Sequence, residues 1–225
     1  MERTIKGLLF DLDGVMVDTA KYHYLAWKQL AEKLGLAFDW QVNERLKGVS
    51  RMASLEIILE TNQRAMTMEE KEARCAEKNE IYLGYIRQLQ EEELFPGVRE
   101  FLTDARAKGY RTALGSASRN SMLILERLKI KDLFDAIVDG TQVTKTKPDP
   151  EVFLVGAQAL GVEPAACIVF EDATAGVEAA HRAGMLAVGI GDRESLPEAD
   201  IVTPGLEGLT ADDVVACLQE AMDGE

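Results

Sequence analysis

Cysteine is scarce: Cys75, Cys167 and Cys217 are the only three in 225 residues. They lie far apart, with no CxxC pair and no histidine at ligand spacing, which excludes a zinc site or disulfide framework and fits a reducing, cytoplasmic setting. Cations are in short supply too, with Lys+Arg 25 against Asp+Glu 39 and a formal net charge of -14. Such a field repels polyanions, so no nucleic-acid partner is expected, and any anionic ligand must be held by local cations. No apolar run approaches the roughly eighteen residues of a membrane span, and the N-terminal residues lack the pattern of a signal peptide. Neither a membrane partner nor export is expected. What is present is an apolar fraction of 47%, enough for a real core.

From Pro96 onward, helical patterns alternate with short apolar strands. PGVREFLTDARAKG reads as a helix starting at Pro96 and ending at Gly109. TALGSAS follows as a strand, SMLILERLKI as a helix, FDAIVDG as a strand, EVFLVGAQALG as a helix, CIVFED as a strand, TAGVEAAHRAG as a helix and LAVGIG as a strand. These repeats predict an α/β fold, a Rossmann-like parallel sheet with helices on both faces. Ile5 to Phe10 is one more buried strand, cut off from its companions by a span too long for a loop. That span is rich in helix formers, as in YHYLAWKQLAEKLG and EEKEARCAEKNEIYLGYIRQLQ, and shows no strand pattern. An inserted α-helical cap domain is therefore expected at 18–93, leaving a discontinuous α/β catalytic core of 1–17 and 94–225. The crossings near Val17 to Thr19 and Glu93 to Pro96 are natural hinges. The acidic run Glu91 to Glu93 reads as solvated surface.

Ligands of open α/β sheets bind beyond the carboxyl ends of the strands. There the sequence places Asp11 and Asp13 after the first strand, Ser116 to Asn120 after TALG, Lys147 after FDAIVDG, and Glu171 and Asp172 after CIVF. DLDG alone is no more than a turn; four such sets in order are a site. Asp11, Asp13, Glu171 and Asp172 would repel one another unless neutralised, and oxygen-only ligands suit a hard cation such as Mg²⁺. Lys147, with the hydroxyl and backbone donors of Ser116 and Ala117, could hold a phosphate beside the metal. A carboxylate can attack phosphorus, and a second carboxyl two residues on can move the proton, which makes Asp11 and Asp13 candidates for those roles.

A hydrophobic strand followed by DxDG, a Ser after a second strand, a later Lys and an acidic pair closely resemble the haloacid dehalogenase-like superfamily, over essentially the whole chain. That resemblance implies that Asp11 is the nucleophile and Asp13 the general acid/base. It also implies that Mg²⁺ binds Asp11, the backbone carbonyl of Asp13, and the pair Glu171 and Asp172.

FDLDGVMVDTAKYHYLAW, LKGVSRMASLEIIL, SASRN, KPDPEVF and EDATAGVEA resemble, more narrowly, phosphohexomutases of that superfamily. The implied reaction interconverts β-D-glucose 1-phosphate and glucose 6-phosphate through an aspartyl-phosphate and a β-glucose 1,6-bisphosphate intermediate, primed by glucose 1,6-bisphosphate. A Mg-dependent sugar-phosphate phosphatase is the alternative. Matched singly, His23 and Trp27 line the sugar site, Leu46, Lys47, Gly48 and Val49 form a specificity loop, and Arg51 grips the distal phosphate. Ser54 and Lys78 match further sugar or phosphate contacts, and Thr19 a hinge residue near the acid/base. A mutase needs two phosphate sites: Ser116, Ala117 and Lys147 can serve the first, and Arg51 with Ser118, Arg119 and Asn120 the second. Arg119 stands where the family pattern has Lys. His181 reads as helix surface, and the chain as a monomer acting on small sugar phosphates.

Overall fold

A computed structural model of the protein describes residues 4–46 and 49–223. It divides the chain into two compact units, one of residues 1–18 and 90–225 and one of residues 19–89.

The larger unit begins with β1 (Gly7–Phe10) and resumes after the smaller one with α5 (Val98–Ala107), β2 (Arg111–Gly115), α6 (Ser121–Arg127), β3 (Ala136–Val138), α7 (Glu151–Leu160), β4 (Cys167–Glu171), α8 (Thr174–Arg182), β5 (Leu186–Ile190), β6 (Ile201–Thr203) and α9 (Ala211–Asp223). All six strands are parallel, in the order β3-β2-β1-β4-β5-β6. β1 and β4 are buried throughout, as strands with helices on both faces must be. Leu9 points into a cluster with Val138, Phe153, Val169 and Ala187. Phe10 stacks on Phe170 at 4.5 Å and meets Phe101 and Phe134 edge-on at 6.1 and 6.3 Å. Each such fully buried side chain contributes about 1.5–3 kcal/mol.

Register then positions the chemistry. Phe10 is level with Leu114 of β2 and Phe170 of β4, so Asp11 leaves β1 level with Gly115 and Glu171, the last residues of β2 and β4, at the carboxyl edge of the sheet. The strand order reverses at β1 and β4, the crevice where ligands of such sheets bind.

The smaller unit contains α1 (Ala20–Leu34), α2 (Trp40–Glu44), α3 (Arg51–Thr61) and α4 (Met68–Ile86). Its helix ends are written in the sequence: Gly35 takes the left-handed conformation after α1, Asp39 and Ser50 cap α2 and α3, and Thr67 with Glu70 forms a capping box on α4. Trp27, Leu30, Leu55, Ile58 and Leu59 are buried in its core. No helix among the described residues is long and apolar enough to cross a membrane.

Two expectations need correction. The return from the smaller unit falls at Leu89/Gln90 rather than at residue 93, because Glu91–Glu93 form a 3-10 turn tied into the larger unit. Glu91 accepts ion pairs from Arg99 at 2.7 Å and Lys129 at 2.9 Å, so that acidic run is an anchor as well as surface. The second correction is smaller: Pro96 precedes Gly97, the N-cap of α5 at φ 80, and the helix starts at Val98.

Candidate active site

Immediately after β1 the chain folds back on itself. The Gly14 N–H donates to Val17 O at 2.9 Å, the Met16 N–H to Leu12 O at 2.9 Å, and the Phe95 N–H to Met16 O at 2.8 Å. Val17 also bridges Leu94 antiparallel, so the outgoing and returning chain are pinned together at the edge of the larger unit. Gly14 is required twice. Its φ is 77, and a Cβ there would lie 1.8 Å from Asp172 Oδ2, so its absence lets that carboxylate lie against the DLDG turn.

Lys147 reaches between β1 and β4. Its Nζ lies 2.5 Å from both Asp11 Oδ1 and Glu171 Oε1 and 4.7 Å from the centre of the Phe153 ring. Burial alone would lower the lysine, but the charges of Asp11 and Glu171 and their hydrogen bonds hold it above the usual lysine range. Glu171 is nearly inaccessible, and its second oxygen accepts from the Ala173 N–H at 3.0 Å. Both its oxygens are therefore committed inside the protein. Asp172 opens outward and is pushed up to about 7, first by lost hydration and then by the charges of Glu171, Asp11 and Asp13.

Ser116 continues from β2. Its N–H donates to Val138 O at 3.0 Å and its Oγ accepts from the Ser118 N–H at 3.2 Å; Ser118 Oγ in turn accepts from the Asn120 N–H at 3.2 Å. The larger unit thus brings together Asp11, Asp13, Lys147, Glu171, Asp172 and the turn that starts at Ser116.

Among the described residues, no three His, Cys, Asp or Glu side chains are already gathered as metal ligands. Lys147 stands between two of the expected four. The donor set nevertheless fits a hard divalent cation: it is all oxygen, and Asp172 lies within electrostatic reach of Glu171, Asp11 and Asp13.

The smaller unit carries a cluster of opposite sign. Lys78, buried on α4, places Nζ 2.6 Å from His23 Nδ1 and about equally over the Trp27 and Tyr82 rings, at 5.2 and 5.0 Å. Burial and then Arg51 lower Lys78 to about 7. His23 falls to about 3 through burial, Lys78 and Arg51 in that order. Arg51 donates to Asn79 Oδ1 at 2.8 Å. Ser54 is buried on α3, Leu46 packs into the core of this unit, and Val49 is exposed. Lys47 and Gly48 lie outside the described residues. Thr19 sits at the start of α1, its carbonyl accepting from the Tyr22 and His23 N–H groups at 3.0 and 3.1 Å.

Sequence reasoning missed Tyr82, whose ring stacks on His23 at 4.2 Å, and Asn79. The helical spacing of Cys75, Lys78 and Tyr82 puts all three on one face of α4 and could have found the first. His181, read as helix surface, is exposed on α8, where its Nε2 lies 3.1 Å from Asp200 Oδ2, which accepts from the Ala187 N–H.

A family model described as haloacid dehalogenase-like hydrolase matches residues 5–184. The chain is 46% identical over 211 residues to a beta-phosphoglucomutase of Bacillus subtilis, with 92% of each chain covered. It is 32% identical over 206 residues to a phosphorylated carbohydrates phosphatase of Thermotoga maritima, with 88% of this chain and 93% of that one covered. The crystal structure of a beta-phosphoglucomutase from Clostridium difficile matches with a TM-score of 0.88 at 39% identity, over 98% of this chain and 100% of that chain.

Proposed function

The chain belongs to the haloacid dehalogenase-like hydrolase family, and from that premise we propose that it is a phosphohexomutase interconverting β-D-glucose 1-phosphate and glucose 6-phosphate. The observation that carries this reading is the cation cluster of the smaller unit. Lys78 is buried beside His23 and within electrostatic reach of Arg51, and among the described residues no carboxylate pairs with it. An enzyme that only removes a phosphate needs one anion site, at its nucleophile. A mutase handles a hexose bisphosphate and needs a second, a sugar's width away. Extensive similarity to a beta-phosphoglucomutase supports the same reading.

In the proposed reaction Asp11 attacks phosphorus; the new oxygen–phosphorus bond forms as the bond to the donor oxygen breaks, leaving an aspartyl-phosphate. The 6-hydroxyl of β-glucose 1-phosphate then takes that phosphoryl group while Asp13 accepts its proton, giving the 1,6-bisphosphate. After the intermediate turns round, Asp11 takes the phosphoryl group from the 1-position, Asp13 returns the proton to the leaving oxygen, and glucose 6-phosphate departs. Lys147, the Ser116 hydroxyl and the Ala117 N–H hold the phosphoryl oxygens in the larger unit, and Arg51 serves the distal phosphate from the smaller one. Glucose 1,6-bisphosphate primes the cycle. Asp11, the Asp13 carbonyl and the pair Glu171 and Asp172 would hold Mg²⁺, and Glu171 also positions Lys147. When bound, the ion would offset the negative charge gathered around the transferring group.

Similarity to a phosphorylated carbohydrates phosphatase supports a second reading, release of inorganic phosphate from the same aspartyl-phosphate by water. One assay separates the two. The protein is incubated with β-glucose 1-phosphate, Mg²⁺ and a trace of glucose 1,6-bisphosphate, and glucose 6-phosphate and free phosphate are measured together. Glucose 6-phosphate without stoichiometric phosphate is expected; predominant phosphate release would sink the mutase reading.

A further inference from the structure

Gly140 follows β3, and its backbone does not demand glycine, because its φ lies outside the left-handed region. Space demands it. A Cβ at this position would lie 2.2 Å from Ala117 O, 3.0 Å from Ala117 C and 3.2 Å from Arg119 Cγ. The first two are main-chain atoms and cannot swing away as a side chain can. The Gly140 N–H also donates to Ser118 O at 3.2 Å, an oxygen that accepts from Ser121 Oγ at 2.9 Å.

The turn bearing Gly140 is itself fixed. Buried Asp139 accepts from the Thr141 N–H at 2.8 Å and from Thr141 Oγ1 at 2.5 Å. Its own N–H donates to Gln142 Oε1 at 3.0 Å, and the Gln142 N–H donates to Asp139 O at 3.0 Å. Residues 139–142 therefore form a firm surface against which the 116–120 turn is set.

We infer that Gly140 is a positioning residue for phosphate capture. The peptide joining Ala117 to Ser118 is planar, so packing its carbonyl against Gly140 also aims its N–H, which donates to Ser116 Oγ at 3.2 Å. With its oxygen accepting that bond, Ser116 keeps its own O–H proton for a ligand oxygen. The same missing Cβ leaves room for the stem of Arg119. One small residue thus sets a donor for the transferring phosphate and one for the distal phosphate. The inference rests on the assignment of Ser116 and Arg119 to phosphate binding.

The test is Gly140→Ala, a change the backbone tolerates. Phosphoenzyme formation from acetyl phosphate should fall about 10-fold to 100-fold, as misplacement of a binding group by about 1 Å does, with the loss expressed mainly in KM. Ser116→Ala should cost much less in the Gly140→Ala background than in the wild-type protein, because its hydroxyl is already misdirected. A merely structural role would lower thermal stability and leave the two losses additive. Phosphorylation within about twofold of wild type, or additive losses, would overturn the inference while leaving the functional reading intact. Absence of any phosphoenzyme in the wild-type protein would instead overturn the phosphate assignment, and the inference with it. Should Gly140→Ala fail to fold, Thr141→Val loosens the same turn from its exposed side. A smaller rise in KM supports the inference, and an unchanged KM contradicts it.

Discussion

Lys147, mostly buried, and Lys78, fully buried, belong to different units of one chain, and their surroundings act on them in opposite senses. Lys147 bridges Asp11 and Glu171, and those charges hold it above the usual lysine range despite burial. Lys78 has His23, Arg51 and two aromatic rings around it, and burial brings it down to about 7. The first lysine is permanently charged, and its partners are part of the protein. The second is brought close to losing its proton, and among the described residues no carboxylate pairs with it. Burial of a cation alone therefore says little about its job; what matters is whether the fold supplies the counter-charge.

The largest effect should come from Asp11→Asn, which removes the nucleophile. Phosphoenzyme measured by acid quench should vanish, and turnover should fall at least about 10³-fold. Next comes Lys147→Met, which strands Asp11 and Glu171 as buried carboxylates without a cation. Urea unfolding should show a loss of about 3–5 kcal/mol. Lys78→Met, which removes a buried amine that no carboxylate pairs with among the described residues, should leave stability at pH 7 unchanged or raise it, because a lysine lowered to about 7 disfavours folding there. Equal losses from the two lysine variants would erase the contrast between the units.

Arg51→Ala sharpens the same contrast through kinetics. Phosphorylation of Asp11 by acetyl phosphate should survive, while mutase turnover falls about 10-fold to 100-fold, as expected when one charged contact to substrate is lost. The pH dependence of stability separates the two lysines once more. Lys78 titrates near 7 in the folded protein, against its usual 10.5, so between those values the unfolded chain binds more protons. Stability should therefore rise with pH across that window and be insensitive to this group below it. Thermal unfolding of the wild-type protein and Lys78→Met from pH 6 to pH 10 isolates the effect, since the variant should lack that gain.

The parts of the fold legible in the sequence are those with a local signature. β1 and β5 are unbroken apolar runs and β4 is one up to Glu171, α4 opens on its capping box, and α1 and α7 close on Gly35 and Gly161. β6 was missed because Ile201–Thr203 is short and only half-buried, so it carries no burial pattern; α9 after it was missed as well. In the site, Asp11, Lys147 and Glu171 are recognisable from their places at the ends of strands and in the loops after them. That Lys147 bridges Asp11 and Glu171, that Gly14 makes room for Asp172, and that Gly140 presses on Ala117 could not be read. Each is a contact between segments distant in sequence, and no local periodicity encodes such contacts. The anchor at Glu91 escaped for the same reason, its partners being Arg99 and Lys129.

The central claim is that the smaller unit holds a buried cation cluster built to receive a substrate's phosphate. The most direct test is a lysine side-chain NMR titration, with the Lys78 signal assigned by its loss in Lys78→Met, run with and without saturating glucose 6-phosphate. A midpoint near 7 is expected in the free protein, moved upward when the sugar phosphate binds. A midpoint near the usual 10.5, or one that the ligand leaves in place, would contradict it.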